Sequence, residues 1–260
     1  SMQNTRQITK AMEMVAASKM NKAQEKALRT RPYYTTLHST LSGIAAATRD
    51  FSSPYLQKRE EKRVCCVAIA GDRGLAGGYN SNVLRLAAET LTGEENCVVP
   101  IGKKAGEYFR HRGVELLTED WLTAENLSVG GCFTLARHLA GLYRSGQVDA
   151  IELVFTRWNS LLSQEPCVLR LLPLPQPEKP AASDKRPAVF NAMIPEYLGG
   201  VIYGALCESL ASELSARRMA MDSATQNADE MIDKLNLQYN RARQGSITQE
   251  LTEIVAGAEE

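Results

Sequence analysis

Between Gly204 and Gly245 the chain holds no glycine, and after Pro195 it holds no proline. Within this stretch Leu210, Leu214, Arg217, Met221, Ala224, Ala228, Met231 and Leu235 recur at alternating spacings of four and three, and Ala242 extends the series. That spacing keeps one stripe of a helix turned toward a partner helix. Residues 193–260 are therefore expected to form one long helix, and some 60 residues of it would span about 90 Å, given the helical rise. A rod of that length exceeds the width of any compact domain the rest of the chain can build. The stripe is rich in Ala and Met, so the partner helix can come close but each contact buries little area.

The partner is expected at the other end of the chain. Residues 3–48 have no glycine before Gly43 and a single proline, Pro32. They are dominated by strong helix formers. Ile8, Met12, Val15, Ala16, Met20, Ala23 and Ala27 fall on one apolar face, and Pro32 predicts a bend or local break. The formal net charge of +0 hides an asymmetry: residues 1–63 carry twelve Lys/Arg against five Asp/Glu, and residues 196–260 carry five against eleven. Opposite charge favours an antiparallel pairing of the two ends. The last helix is longer than residues 1–48 can cover, so its end projects alone or meets another protein. That end, NRARQGSITQELTEIVAGAEE (240–260), has only Ile247, Leu251, Ile254 and Val255 as large aliphatics. It suits a bearing or socket better than a tight interface, where aromatic and arginine anchors would be expected.

The middle of the chain changes character. After a connector at 49–62, VCCVAIA (64–70) reads as a buried strand and 80–92 as a helix. NCVVPIG is a second strand, KKAGEYFRHR a short helix and VELLTE a third strand. CFTLARHLAGLYRSG is a helix ending at Gly146, and DAIELVFTRW and PCVLRLLPL are two strands joined by a turn. Strand–helix alternation of this kind implies a mainly parallel sheet. Five prolines in 173–187 mark an extended linker. The expected fold class is α/β: a long antiparallel coiled coil of the terminal helices plus a central Rossmann-like α/β domain. The parts are an N-terminal shaft helix (1–58), an α/β foot (62–175), a proline-rich linker (176–192) and a C-terminal shaft helix (193–260).

Signals for chemistry are sparse. GDRGLAGGYN (71–80) lies between strand and helix, where a phosphate cradle would sit. It lacks the Lys-Ser/Thr of a P-loop and the second glycine of the dinucleotide fingerprint. A structural or docking turn is favoured, with Asn80 or Ser81 as a helix cap. His38, His111 and His138 have no evident orienting partner and suit surface or cap roles. None of Cys65, Cys66, Cys97, Cys132, Cys167 and Cys207 forms a CxxC pair, so reduced and mostly buried thiols are expected rather than a zinc site. No metal and no cofactor is implied. The balanced charge gives no reason to expect nucleic acid, and no apolar run is long enough to insert in a bilayer. No signal peptide is visible, and the opening Ser1-Met2 reads as a cut or tagged start.

Three segments resemble the gamma subunits of F-type ATP synthases: QNTRQITKAMEMVAASKM (3–20), DRGLAGGYN (72–80) and YNRARQGSITQELTEIVAGA (239–258). They occur in the family's order, and the likeness runs along the whole chain. The resemblance implies a non-catalytic central rotor shaft. Its coiled coil would enter a ring of three alpha and three beta subunits, and its foot would sit with the epsilon subunit on the membrane c-ring. Rotation driven by protons would be coupled to ATP synthesis or hydrolysis. The expected location is peripheral, on the cytoplasmic face of a bacterial plasma membrane or its equivalent. The resemblance implies that Met12 matches a position facing the beta subunit near an acidic loop, which Lys10 and Lys19 on the same segment would meet, and that Arg243 and Gln244 match positions gripped by a beta-subunit loop, with Thr248, Gln249 and Glu250 in the same cluster. Asp72, Arg73, Gly74, Gly77, Gly78 and Asn80 would form a foot loop with a structural or rotor-contact role. The family's chains usually begin with a further basic helical stretch, absent here. The redox insert of the chloroplast form is also absent, so thiol switching is not expected. Two other readings stay open on the residues alone: a nucleotide-binding α/β enzyme with coiled-coil arms, and a generic coiled-coil adaptor.

Overall fold

The structure, a computed structural model, describes residues 2–46, 53–57, 59–91, 95–120, 123–174 and 187–258. The chain begins with helix α1 (Met2–Ala46) and ends with helix α5 (Pro187–Ala258), which is 72 residues and about 108 Å long. A short 3-10 turn, Pro54–Leu56, leads into the foot. There strands β1 (Val64–Ile69), β2 (Cys97–Ile101), β3 (Glu115–Leu116), β4 (Ala150–Trp158) and β5 (Gln164–Leu172) form one sheet in the order β3-β2-β1-β4-β5. β3, β2, β1 and β4 run parallel, and β5 closes one edge antiparallel to β4. Helices α2 (Tyr79–Glu89), α3 (Lys103–His111) and α4 (Val129–Arg144) cross over between strands.

The unbroken apolar run VCCVAI follows from this layering. All six β1 residues are buried, because the strand is covered on both faces. Cys65, Val67 and Ile69 point into the core shared with α4 and the first turns of α5. Cys66 and Ala68 point the other way, onto Val83, Leu84 and Ala87 of α2 and Ala105 and Phe109 of α3. The foot core extends into α5 itself, through Phe190, Ile194, Leu198, Ile202 and Leu206. The long helix is thus rooted in the foot rather than tethered to it.

Beyond the foot α1 and α5 pair antiparallel: the Thr9 and Thr225 hydroxyls meet at 2.8 Å, and Ala27 packs on Cys207 and Ala211. Several expectations are corrected here. Helix α1 runs through Pro32 without a break. α5 starts at Pro187 rather than 193, since proline is well tolerated in a first helical turn, so the linker's last residues are helical. The rest of that linker lies outside the described residues. The expected third strand shrinks to Glu115–Leu116. Ile8 and Val15 are exposed, and the buried stripe of α1 is instead Thr9, Ala16, Met20 and Ala27. On α5 the stripe keeps Met221 and Ala228 but takes Thr225 in place of Ala224, while Met231 and Leu235 are about half exposed. Thr225 wins because its hydroxyl finds Thr9 across the seam. Arg217 leaves the stripe because its guanidinium turns to the foot, bonding Glu213 and the Gly74 carbonyl.

Candidate functional site: the collar between shaft and foot, and the open helix end

Two regions stand out. The first is a collar where the loops at the C-terminal ends of the strands grip both shaft helices. GDRGLAGGYN is closed on itself by its own side chains. Asn80 accepts from the Gly71 N–H at 2.8 Å and donates to the Arg73 carbonyl at 3.0 Å. The Asp72 carboxylate accepts from three backbone N–H groups, those of Lys103, Ala124 and Glu125. The Gly71 N–H is thus taken by the loop's own Asn80 side chain, and the Asp72 carboxylate lies among the backbone donors at the mouth of the loop. Asn80 and Ser81 do not cap α2: Gly78 holds the cap position, and the Asn80 side chain instead ties the loop together. Leu75 at the loop tip has φ +62 and is exposed.

The collar reaches α5 through Arg217, whose guanidinium bonds the Gly74 carbonyl at 3.2 Å and the Glu213 carboxylate at 2.6 Å. Burial pushes the Glu213 carboxyl up, and Arg217 opposes that shift. It reaches α1 through Lys19, which bonds Glu125 at 2.7 Å. Lys19 is therefore paired within its own chain, through a contact that is about half exposed. Lys10 is paired with Glu13 one turn on, and Met12 is half-buried. A second tie joins the same elements nearer the foot. The buried Glu208 carboxylate accepts from Arg31 and Tyr34 of α1 and from the Trp158 N–H at the end of β4. The hydroxyls of Ser209 and Ser212 bond the Thr156 backbone beside it.

The second region is the last part of α5. Every residue from 233 to 254 is exposed. Arg243, Gln244, Thr248, Gln249 and Glu250 all lie there, far along the rod from Met12 and Lys10. Thr248 bonds the Gln244 carbonyl and Gln249 bonds Glu253, both within the helix. Ile247, Leu251 and Ile254 are exposed singly, and the Val255 side chain lies outside the described residues. The histidines stay apart: His111 and His138 are exposed, and the His38 side chain is outside the described residues. Five cysteines are buried, Cys167 partly so, and all six are free. Among the described residues, no helix is long and apolar enough to cross a membrane, and no cluster of His, Cys, Asp and Glu is arranged to hold a metal.

Sequence reasoning missed the Glu208–Arg31 tie and the role of Asp72 as a hub. Glu208 carries a signal in retrospect, being a lone acid in the apolar run VIYGALCESLAS. Asp72 carries none, because its partners are backbone groups remote in sequence.

A two-helix antiparallel rod, rooted in a doubly wound foot and bare at its far end, defines a shaft-and-foot protein. The family model described as ATP synthase matches residues 1–260. The ATP synthase gamma chain of Ruminococcus albus is 44% identical over 98% of this chain and 93% of its own length. That of Heliobacterium modesticaldum is 42% identical over 99% and 94%. The chain belongs to the ATP synthase gamma-chain family. Solved structures show the same fold. A chain of the Euglena gracilis mitochondrial ATP synthase, solved as OSCP/F1/c-ring, superposes with a TM-score of 0.71 at 19% identity, covering 98% of this chain and 89% of that one. One from the central stalk and c-ring of the Tetrahymena thermophila enzyme gives 0.64 at 21% identity, covering 84% and 99%.

Proposed function

We propose that this chain is the non-catalytic central shaft of an F-type ATP synthase. The foot meets the epsilon subunit and rides on the membrane c-ring. The rod stands in a ring of three alpha and three beta subunits and turns there as protons drive the c-ring. Its asymmetry steps the beta subunits through their catalytic states, and the complex sits on the cytoplasmic face of the membrane. The observation that carries this reading is the bare end of α5: every residue from 233 to 254 is exposed, and most are small or polar, with Leu235, Leu237, Tyr239, Ile247, Leu251 and Ile254 as the large apolar groups. A helix end that had to grip tightly would carry clustered aromatic anchors; one that must turn against successive neighbours is better served by a low-relief surface. On this reading Met12, Lys10, Arg243, Gln244, Thr248, Gln249 and Glu250 face beta subunits, with Lys19 available only once released from Glu125. The loop from Asp72 to Asn80 holds the foot to the shaft.

Reconstitution tests the proposal. Mixed with alpha and beta subunits, the chain is expected to co-elute at one copy per three alpha–beta pairs and to raise ATP turnover. Met12→Lys places a cation at a half-buried position of α1 and is expected to lower the coupling of hydrolysis to proton uptake while leaving assembly intact. Separate elution, with turnover unchanged, would refute the assignment.

A further inference from the structure

Helix α5 takes torque directly from the foot, because its first turns are part of the foot core. Helix α1 enters that core through one buried residue, Leu41, with Tyr34 and Leu37 packed against its edge. Beyond that point its seam with α5 is built mainly from Ala16, Ala27, Ala211 and Ala228 with Met20 and Met221, while nearer the foot Tyr33 and Tyr34 lie against Gly200 and Gly204. Small side chains interlock poorly, so an alanine-rich seam resists sliding and rolling of one helix over the other less than large interdigitating residues do.

We propose that Glu208 is the pin that keys α1 to the foot, so that both strands of the shaft turn together. This inference rests on the rotor reading above. Glu208 is only 3% exposed and sits where α1, α5 and β4 converge. Its carboxylate takes the Arg31 Nε–H at 2.9 Å, the Tyr34 hydroxyl at 3.0 Å and the Trp158 N–H at 3.3 Å. A second guanidinium N–H of Arg31 donates to the Trp158 carbonyl at 2.8 Å. Arg31 thereby spans from α5 to the last residue of β4, and one α1 side chain holds two elements at once. The Trp158 indole N–H bonds Ser215 on the next turns of α5, fixing the strand end from the other side. The geometry is directional: two donors from α1 and one from the end of β4 converge on one carboxylate, so rolling α1 about its axis stretches both of the bonds it supplies. The surroundings agree, since the Glu208 bond holds the Arg31 guanidinium above its ordinary range, and burial, reinforced by Glu208, pushes the Tyr34 phenol up to about 12. The other described ion pairs between α1 and the rest of the chain, Lys19–Glu125 and Arg6–Asp229, are about half exposed and worth little by comparison.

The test uses the full chain in the assembled, membrane-bound complex. ATP hydrolysis and ATP-driven proton uptake are measured on the same vesicles for the wild type, Glu208→Gln and the milder Arg31→Lys. Spin labels at the exposed positions Asn21 on α1 and Ser160 on the β4–β5 turn report the spread of distances between helix and foot. Glu208→Gln is expected to keep hydrolysis within about twofold of wild type, to lower proton uptake per ATP at least twofold and to broaden the label distances. Arg31→Lys is expected to lie between the two. If Glu208→Gln does not assemble, Arg31→Lys carries the same pair of readouts. Unchanged uptake, or reduced uptake with label distances as narrow as in wild type, overturns the pin. A wild-type complex that takes up no protons would instead sink the rotor reading, whatever Glu208 does.

Discussion

Gly102 occupies a backbone state that only glycine fills easily, with φ +98 at the β2–α3 turn. A Cβ there would lie 2.1 Å from the Ala70 carbonyl oxygen, a main-chain atom that cannot rotate away. Gly77 also has positive φ, at +54, but the nearest atom to its Cβ position is 4.0 Å away. The two positions separate conformational strain from collision. Gly77→Ala is expected to cost about 1 kcal/mol, the penalty of a left-handed residue with room around it. Gly102→Ala adds a main-chain clash and is expected to cost about 3 kcal/mol or more. Denaturant midpoints of the two variants check this; equal losses would mean that the β1 end simply moves aside. The same scale explains why the loop's chemistry was only half legible. Its glycines announced a tight turn, but the partners of Asp72 are backbone N–H groups brought together by the sheet, and no residue spacing encodes them.

At the scale of elements, the strands and helices of the foot were readable because burial on both faces leaves continuous apolar runs such as VCCVAI. The rod was readable because its period persists over many turns. The phase of the seam was not. Ile8, Val15 and Met231 look like better core residues than Thr9 and Thr225, and a hydrophobicity pattern ranks them so. The structure reverses that ranking because a narrow, small-residue seam rewards close approach and one matched hydroxyl pair over bulk. Helix α5 is accordingly three environments on one element: embedded in the foot over Phe190–Leu206, paired with α1 as far as Ala228, and bare over 233–254. Hydrogen exchange of the isolated chain should follow that order, with protection highest in the first part and near that of a free helix in the last. Uniform protection along α5 would mean that the far end is supported by contacts this fold does not contain.

For the whole molecule, the foot core and the root of the rod form one buried unit, and burial makes several of the weak acids inside it resist ionisation. Burial pushes the Cys66 and Cys132 thiols up to about 12 from an ordinary 9, and the Tyr197 phenol up to about 12 from 10. Cys66 lies on the α2–α3 side of the sheet and Cys132 and Tyr197 on the α4–α5 side, so both layers contribute. The paired thiols Cys65 and Cys97 offset each other, each through its bond to the other, Cys65 shifted up and Cys97 down. The sign follows from proton binding. Between pH 9 and 12 the folded chain holds protons that the unfolded chain has released, so unfolding sheds protons and is favoured by alkali. The stabilisation is complete below the ordinary values and is lost as the pH rises through about 12. Its size is on the order of several kcal/mol for the three groups together. Denaturant unfolding of the chain is therefore expected to show a plateau of stability up to about pH 9 and a steep fall beyond it. Cys66→Ala, which removes the most enclosed of the three, should flatten that fall while lowering the plateau. A stability that stays level to pH 11 would mean that these groups reach water in the folded state, and with it that the two faces of the foot are not sealed around the root of the shaft.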